Sequence, residues 1–202
     1  MLGQEELQTI KENANNGGKV KININIMLDA SVRNKVQRIN NKIALKTDLE
    51  IMFGKDSVMH PHITFIMGTI KSMNDLQKVN QIVSNVLLKF NLKNGILIEF
   101  DNISVTKNEK WAMLWLKENE HITKLITSLK KELAGVMDIS TFNIPHVTLA
   151  KGENLVKALD IIKQSVPPEN FVATNVNVSL AGKNGTVLEN LSKICVCGEQ
   201  KK

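Results

Sequence analysis

The chain has 202 residues, 43% of them hydrophobic and 4% aromatic, and 26 Lys and Arg against 20 Asp and Glu give it a net charge of +6. That is enough apolar material to close a core in one large or two small domains. The only cysteines, Cys195 and Cys197, are near neighbours that make a poor disulfide pair and are too few for a zinc site. The positive charge permits an anionic ligand without diagnosing one, and no stretch reaches the length of a membrane span.

Residues 1–16 carry Glu5, Glu6, Lys11 and Glu12 in a weakly amphipathic pattern and lack the apolar core of a signal peptide. A cytoplasmic chain is expected, opening with a short helix from 4 to about 14 that Asn15-Asn16-Gly17-Gly18 breaks. From 21 to 28 the residues alternate: Ile22, Ile24, Ile26 and Leu28 form one face, and Lys21, Asn23, Asn25 and Met27 the other, which reads as a half-buried strand. Val32, Val36, Ile39 and Ile43 follow at helical spacing, and a Gly54-Lys55-Asp56 loop leads into a strand ending at Gly68. Leu76, Val79, Val83, Val86, Leu87 and Phe90 mark a second amphipathic helix, with Ser72 as candidate N-cap. Residues 96–105 and 110–117 read as paired strands across a Lys107-Asn108-Glu109 turn. A helix on Ile122, Leu125, Ile126, Leu129 and Leu133 comes next. A strand at about 143–150 precedes a helix built on Leu155, Ala158, Leu159 and Ile162, which Pro167-Pro168 ends. A hairpin of 171–180 and 186–197 across Gly182-Lys183-Asn184-Gly185 completes the chain, and the alternation of strands with helices argues for α/β or α+β layers in one body.

Two of these strands are near copies. Pro61-His62-Ile63-Thr64-Phe65-Ile66-Met67-Gly68 and Pro145-His146-Val147-Thr148-Leu149-Ala150-Lys151-Gly152 place two of the four histidines in matching settings 84 positions apart. Strand alternation sets His62 and Thr64 opposite Ile63 and Phe65, and His146 and Thr148 opposite Val147 and Leu149. A lone His-x-Thr on a strand reads as structural; duplication with the same flanking Pro and Gly reverses that reading, because two imidazoles brought together make an acid/base pair. Each half can place its helices on one sheet face and its His-x-Thr on the other. Halves packed about a pseudo-twofold axis then line a shared groove.

With these residues the chain resembles the 2H phosphoesterase superfamily, which includes bacterial RNA 2′,3′-cyclic phosphodiesterases (the 2′-5′ RNA ligase family) and viral nucleotide phosphodiesterases. The resemblance spans residues 20–197. It rests on the two motifs, on Phe100-Asp101-Asn102-Ile103 and on Trp111-Ala112-Met113-Leu114-Trp115-Leu116. It implies an α+β, bilobal, pseudo-twofold fold, with two antiparallel sheets lining a central cleft and helices on the outer faces. That domain would occupy 20–198, after an N-terminal extension of 1–19 whose role the sequence leaves open. The resemblance also implies a phosphodiesterase that uses no metal or other cofactor. His62 and His146 would be the acid/base pair, and Thr64 and Thr148 would hydrogen-bond the non-bridging phosphate oxygens. His146 is assigned as base and His62 as acid, although the symmetry of the motifs makes the roles interchangeable.

Lys151 occupies the family's basic position and is a candidate phosphate contact, with Met67 at the equivalent place in the first copy. If Ala112, Leu114 and Leu116 face the helices, Trp111, Met113 and Trp115 face the groove, where Trp111 and Trp115 are candidates to stack on a nucleobase. Asn23, Asn25 and Asn177 could read a base or ribose edge, but solvated asparagines on edge strands are the preferred account. His60 is left outside the site and His121 is placed on the surface. The implied substrate is a nucleotide, a cyclic oligonucleotide or an RNA end, taken either in RNA end processing or, as in viral members, in degrading a signalling nucleotide. A monomer without a membrane partner is expected. The competing reading is a non-catalytic nucleotide- or RNA-binding module, a sensor or sponge on the same fold; intact His and Thr in both copies argue against it, since binding alone does not require two titrating groups.

Overall fold

Hydrophobic patterning sets the first elements of the computed structural model, which describes residues 3–51, 53, 57–140 and 144–196. Helix α1 (Gln4–Asn15) precedes strand β1 (Val20–Met27), whose Ile22, Ile24 and Ile26 are fully buried. Helix α2 (Ala30–Ala44) is opened by Asp29, whose carboxylate accepts from the Val32 N–H at 2.8 Å. Its Val32, Val36, Ile39 and Ile43 form the buried stripe that the spacing requires. Strand β2 (His62–Ile70) holds the first motif and helix α3 (Leu76–Phe90) follows. Ser72 does not cap α3: it precedes a 3₁₀ turn, Met73–Asp75, without a side-chain bond, and α3 begins after Asp75.

The expected strand over 96–105 is two. Strand β3 (Ile96–Ile98) leaves the main sheet, while β4 (Phe100–Val105) stays and pairs with β5 (Trp111–Leu116). After helix α4 (Glu120–Leu133) comes an unexpected strand, β6 (Asp138–Ser140), then β7 (His146–Lys151) with the second motif. A 3₁₀ turn, Leu155–Ala158, leads into helix α5 (Leu159–Gln164). The expected arm at 171–180 also divides, into β8 (Phe171–Ala173), which pairs with β3, and β9 (Asn175–Ala181); β10 (Val187–Cys195) closes the chain. The loop at 54–56, the start of the second motif strand at 143 and Cys197 lie outside the described residues.

The main sheet is antiparallel in the order β10-β9-β1-β2-β7-β5-β4, with β6 also on β2. Its two arms, β10-β9-β1-β2 and β7-β5-β4, meet at one residue pair, Ile63 opposite Val147. The expected two sheets are thus the arms of one, joined at the centre of the pseudo-twofold, in which β1-α2-β2 is answered by β5-α4-β7.

The helices do not stay with their own halves. α3 and α4 pack on each other and cover β10 and β2, whereas α2 and α5 pack together and cover β7 and β4. Each arm is therefore roofed partly by a helix from the other half, because the β1–β2 and β5–β7 connections are both long enough to carry a helix across and return. Asn40, fully buried in α2, fixes one such crossing: its amide donates to the carbonyls of Leu149 in β7 (2.8 Å) and Ile51 (3.0 Å), and its Oδ1 accepts from the Phe53 N–H (3.1 Å). All three capacities it can use in this crowded place are filled, which is the condition for burying an amide at little cost. Among the described residues no helix is long and apolar enough to cross a membrane.

Candidate active site

The two motif strands start alike for a reason visible at their first residues. His62 Nδ1 lies 2.7 Å from the His60 carbonyl, and His146 Nδ1 lies 2.9 Å from the Ile144 carbonyl. A carbonyl only accepts, so Nδ1 carries the hydrogen in both rings and Nε2 is the basic nitrogen of the neutral form. In each copy the acceptor belongs to the residue before the proline. Proline holds that residue in extended backbone and fixes its own φ, which presents the carbonyl to the ring two positions on. The duplicated Pro-His is a tautomer lock.

Each motif strand also carries a β-bulge at the same place. In β1–β2 the register steps from Ile24 opposite Ile66 to Asn25 opposite Thr64, leaving Phe65 as the extra residue; in β5–β7 it steps from Ala112 opposite Ala150 to Met113 opposite Thr148, leaving Leu149. The bulge reverses the alternation beyond it. Phe65 and Ile66 are therefore both buried, as are Leu149 and Ala150, and Met67 joins His62 and Thr64 on the cleft side. The closing glycine serves a close crossing: a Cβ on Gly68 would stand 2.6 Å from the Asp138 carbonyl oxygen of β6, and one on Gly152 would run into the Asp48 carbonyl, where Leu49 bridges to Gly152.

The cleft between the arms has a volume of about 300 Å3. His62 and Thr64 from β2, and His146 and Thr148 from β7, all line it. Trp111 and Met113 of β5 contribute one wall; Ile51 and Phe53 contribute apolar surface, and Asn184, Gly185 and Thr186 another side. The turn holding Asn184 and Gly185 is left-handed at both, φ 62° and 76°, which Asn-Gly accommodates. His60, left out of the site on sequence grounds, lines the cleft as well and holds His62 through its carbonyl. His121 is exposed near the start of α4, edge-on to Phe90.

Trp115 is not among the cleft-lining residues. It stands opposite His146 across the β5–β7 ladder, its ring 5.4 Å from the imidazole centre and inclined at 58°, while its Nε1–H donates to Ser104 Oγ at 2.7 Å. Lys151 is engaged elsewhere too: its ammonium is bound by the Glu50 carboxylate and lies 5.2 Å from the Trp111 ring centre. That pairing holds the Glu50 carboxyl below its ordinary range. Lys21 lines the cleft from β1.

Sequence reasoning missed Asn23. It is fully buried, not solvated, because β1 lies between β2 and β9 inside the sheet; Asn25 is fully buried and Asn177 nearly so for the same reason. The Asn23 amide nitrogen donates to Thr64 Oγ1 at 2.9 Å and to the Gly185 carbonyl at 3.0 Å, and lies 3.2 Å from His62 Nε2. Behind it Asn25 donates to the Asn23 carbonyl and to Ser179 Oγ, and Ser179 donates to Asn190 Oδ1, so a polar row runs from exposed Asn190 across four strands and ends buried at the motif. Its Asn-x-Asn at alternate positions was the available signal.

The electrostatics of the two rings differ. Burial drives His62 down to about 4, against the His60 carbonyl and with the help of neighbouring His146; burial also lowers His146, opposed by the Ile144 carbonyl. His60 is lowered by burial and by Arg33. Among the described residues no three His, Cys, Asp or Glu side chains gather as a metal-ion cluster.

No protein-family model matches the sequence, and no curated protein does. Solved structures do. TT0787 of Thermus thermophilus superposes with a TM-score of 0.61 at 15% identity over 89% of this chain and 99% of its own. E. coli LigT, solved with phosphate, superposes with a TM-score of 0.60 at 14% identity over 88% of this chain and 98% of its own; LigT solved with 3′-AMP gives 0.60 at 15%. Near-complete coverage of both partners, together with the antiparallel α+β architecture described above, shows that this chain has the 2H phosphoesterase fold.

Proposed function

We propose that the chain is a metal-independent phosphodiesterase that cleaves a nucleotide or oligonucleotide phosphodiester, a 2′,3′-cyclic phosphate, a 2′-5′ linkage or a cyclic oligonucleotide signal, with His62 and His146 as general base and acid. The observation that carries this is the pair of carbonyl-locked imidazoles sharing one cleft with Thr64 and Thr148. E. coli LigT in complex with phosphate and with 3′-AMP supports a nucleotide ligand. The cleft volume of about 300 Å3 is at the lower end of the range for ligand pockets and suits one nucleotide unit at the reacting centre.

In hydrolysis of a 2′,3′-cyclic phosphate, one ring takes a proton from water as its oxygen bonds to phosphorus. The bond to the leaving ribose oxygen breaks and the other ring protonates that oxygen. Thr64 and Thr148 hydroxyls stabilise the charge gathering on the non-bridging oxygens. The ring environments favour His62 as base and His146 as acid, the reverse of the order assigned from sequence, because the Asn23 amide faces His62 Nε2 at 3.2 Å and burial disfavours the protonated ring there. Trp111 offers an aromatic face to the base, while Lys151 reaches phosphate only by leaving Glu50.

The test is incubation with EDTA against 2′,3′-cyclic mononucleotides, 2′-5′ and 3′-5′ oligonucleotides and cyclic di- and trinucleotides. His62→Ala and His146→Ala are each expected to lower turnover by ~10²- to 10⁴-fold. An activated p-nitrophenyl ester separates the roles, since its leaving group needs no acid: His146→Ala retains far more activity on it than His62→Ala. Tight binding of one ligand without turnover by the wild type would replace the enzyme with a sensor or sponge.

A further inference from the structure

We infer that Asn23 is a positioning residue for the site, its side-chain amide holding His62 Nε2 as an acceptor and turning the Thr64 hydroxyl proton toward the cleft. The inference rests on the two-histidine reading for its catalytic meaning, but its geometry stands independently. The Asn23 amide faces a ring nitrogen, a hydroxyl and a carbonyl. The Gly185 carbonyl only accepts, which fixes the amide with its nitrogen toward the site; the opposite orientation would set Oδ1 against that carbonyl. Oδ1 instead points to where it is buried without a partner, as Asn25 Oδ1 does behind it.

Two amide hydrogens serve three acceptors. His62, at 3.2 Å against 2.9 and 3.0 Å, holds the weakest share, so an incoming water can take Nε2 while the amide stays bound to Thr64 and Gly185. Thr64 Oγ1, having accepted from Asn23, has its own O–H left to donate. The other titratable or charged groups around His62 are His60, His146 from β7 and Lys21 from β1, which line the same cleft. Of the described side chains around that ring, Asn23 is the one placed to donate to Nε2 and Thr64 together.

The decisive measurement is NMR on the wild-type chain, following the Asn23 side-chain NH2 and His62 ring resonances through a pH titration. The Asn23 signals are expected to move with the His62 midpoint, because a protonated Nε2 cannot accept. Asn23→Asp reverses the sign of the interaction: its carboxylate accepts from Nε2–H and from Thr64, so the His62 midpoint rises by more than one pH unit. In that variant kcat falls by about 10²-fold, the scale for losing one oxyanion donor, with a smaller change in KM. Asn23→Ser, which keeps a small polar side chain, covers the case in which the buried carboxylate does not fold, and should raise the midpoint less. Asn23 signals that stay still while His62 titrates, or variants that lose activity with an unmoved midpoint, would overturn the inference. A wild type with no turnover but with coupled titrations would overturn the enzyme reading and leave the amide's role standing.

Discussion

A histidine that takes up a proton at one nitrogen has to be held at the other, and here a main-chain carbonyl does so twice. With the protonated base and the neutral acid both inactive, kcat/KM should fall as pH drops through about 4, where His62 gains its proton, and fall again as pH rises past the midpoint of His146, which lies below its ordinary 6.5. The optimum is therefore acidic, and a kcat/KM profile centred at pH 8 would contradict it. Stability follows the same groups. Both rings fold with depressed pKa, so the unfolded chain binds more protons below pH 6.5 and Tm should decline as pH falls from there toward 4, less steeply in His62→Gln. At this scale the His-Thr pairs were legible because duplication is a signal that one copy lacks. Asn23 was not, because alternation tells which face a residue shares and not whether that face is wet; the Gly185 carbonyl that receives its amide is 162 residues away. The Lys151–Glu50 pairing was hidden for the same reason.

Strand and helix boundaries came largely from periodicity, and the exceptions have physical causes. β6 is three residues long, too short to show a period, and β3 and β8 separate from their longer runs because they pair with each other outside the main sheet. The bulges did leave a trace: two consecutive apolar residues after each His-x-Thr, Phe65-Ile66 and Leu149-Ala150, break strict alternation where the register shifts. Periodicity shows that a helix has an apolar stripe, not which sheet it will cover, so the exchange of α2 and α4 between the arms could not be read. The motif glycines give a prediction for these elements. Gly68→Ala and Gly152→Ala each force a Cβ onto main-chain carbonyls that cannot retreat without disturbing a strand pairing. Each should destabilise by about 1–3 kcal/mol, the scale of overpacking, measured by thermal or urea unfolding. Unchanged Tm in both would mean that β6 and residues 48–49 sit loosely.

Across the whole molecule, the bilobal plan and its cleft were legible from the order of elements and the twin motifs, whereas the part played by residues 1–19 was not. In the structure α1 packs Leu7, Ile10 and Ala14 against the core, pairs Lys11 with Glu189 at 2.8 Å, and lends the Glu6 carboxylate to the Lys183 N–H. Lys183 begins the turn that carries Asn184 and Gly185 into the cleft. Deleting 1–19 should thus lower Tm, by about 2–4 °C for each kcal/mol of packing lost in a chain of this size, and reduce kcat through the loosened turn. A deletion that kept full activity and Tm would make α1 dispensable. The exchanged helices have a consequence for how the molecule can be divided. Neither half owns the whole roof of its own sheet, so a gene cut between α3 and β4 would yield two products that each expose strands meant for the other's helix. Expressed singly they should aggregate or pair with copies of themselves, and expressed together they should reassemble into one working body.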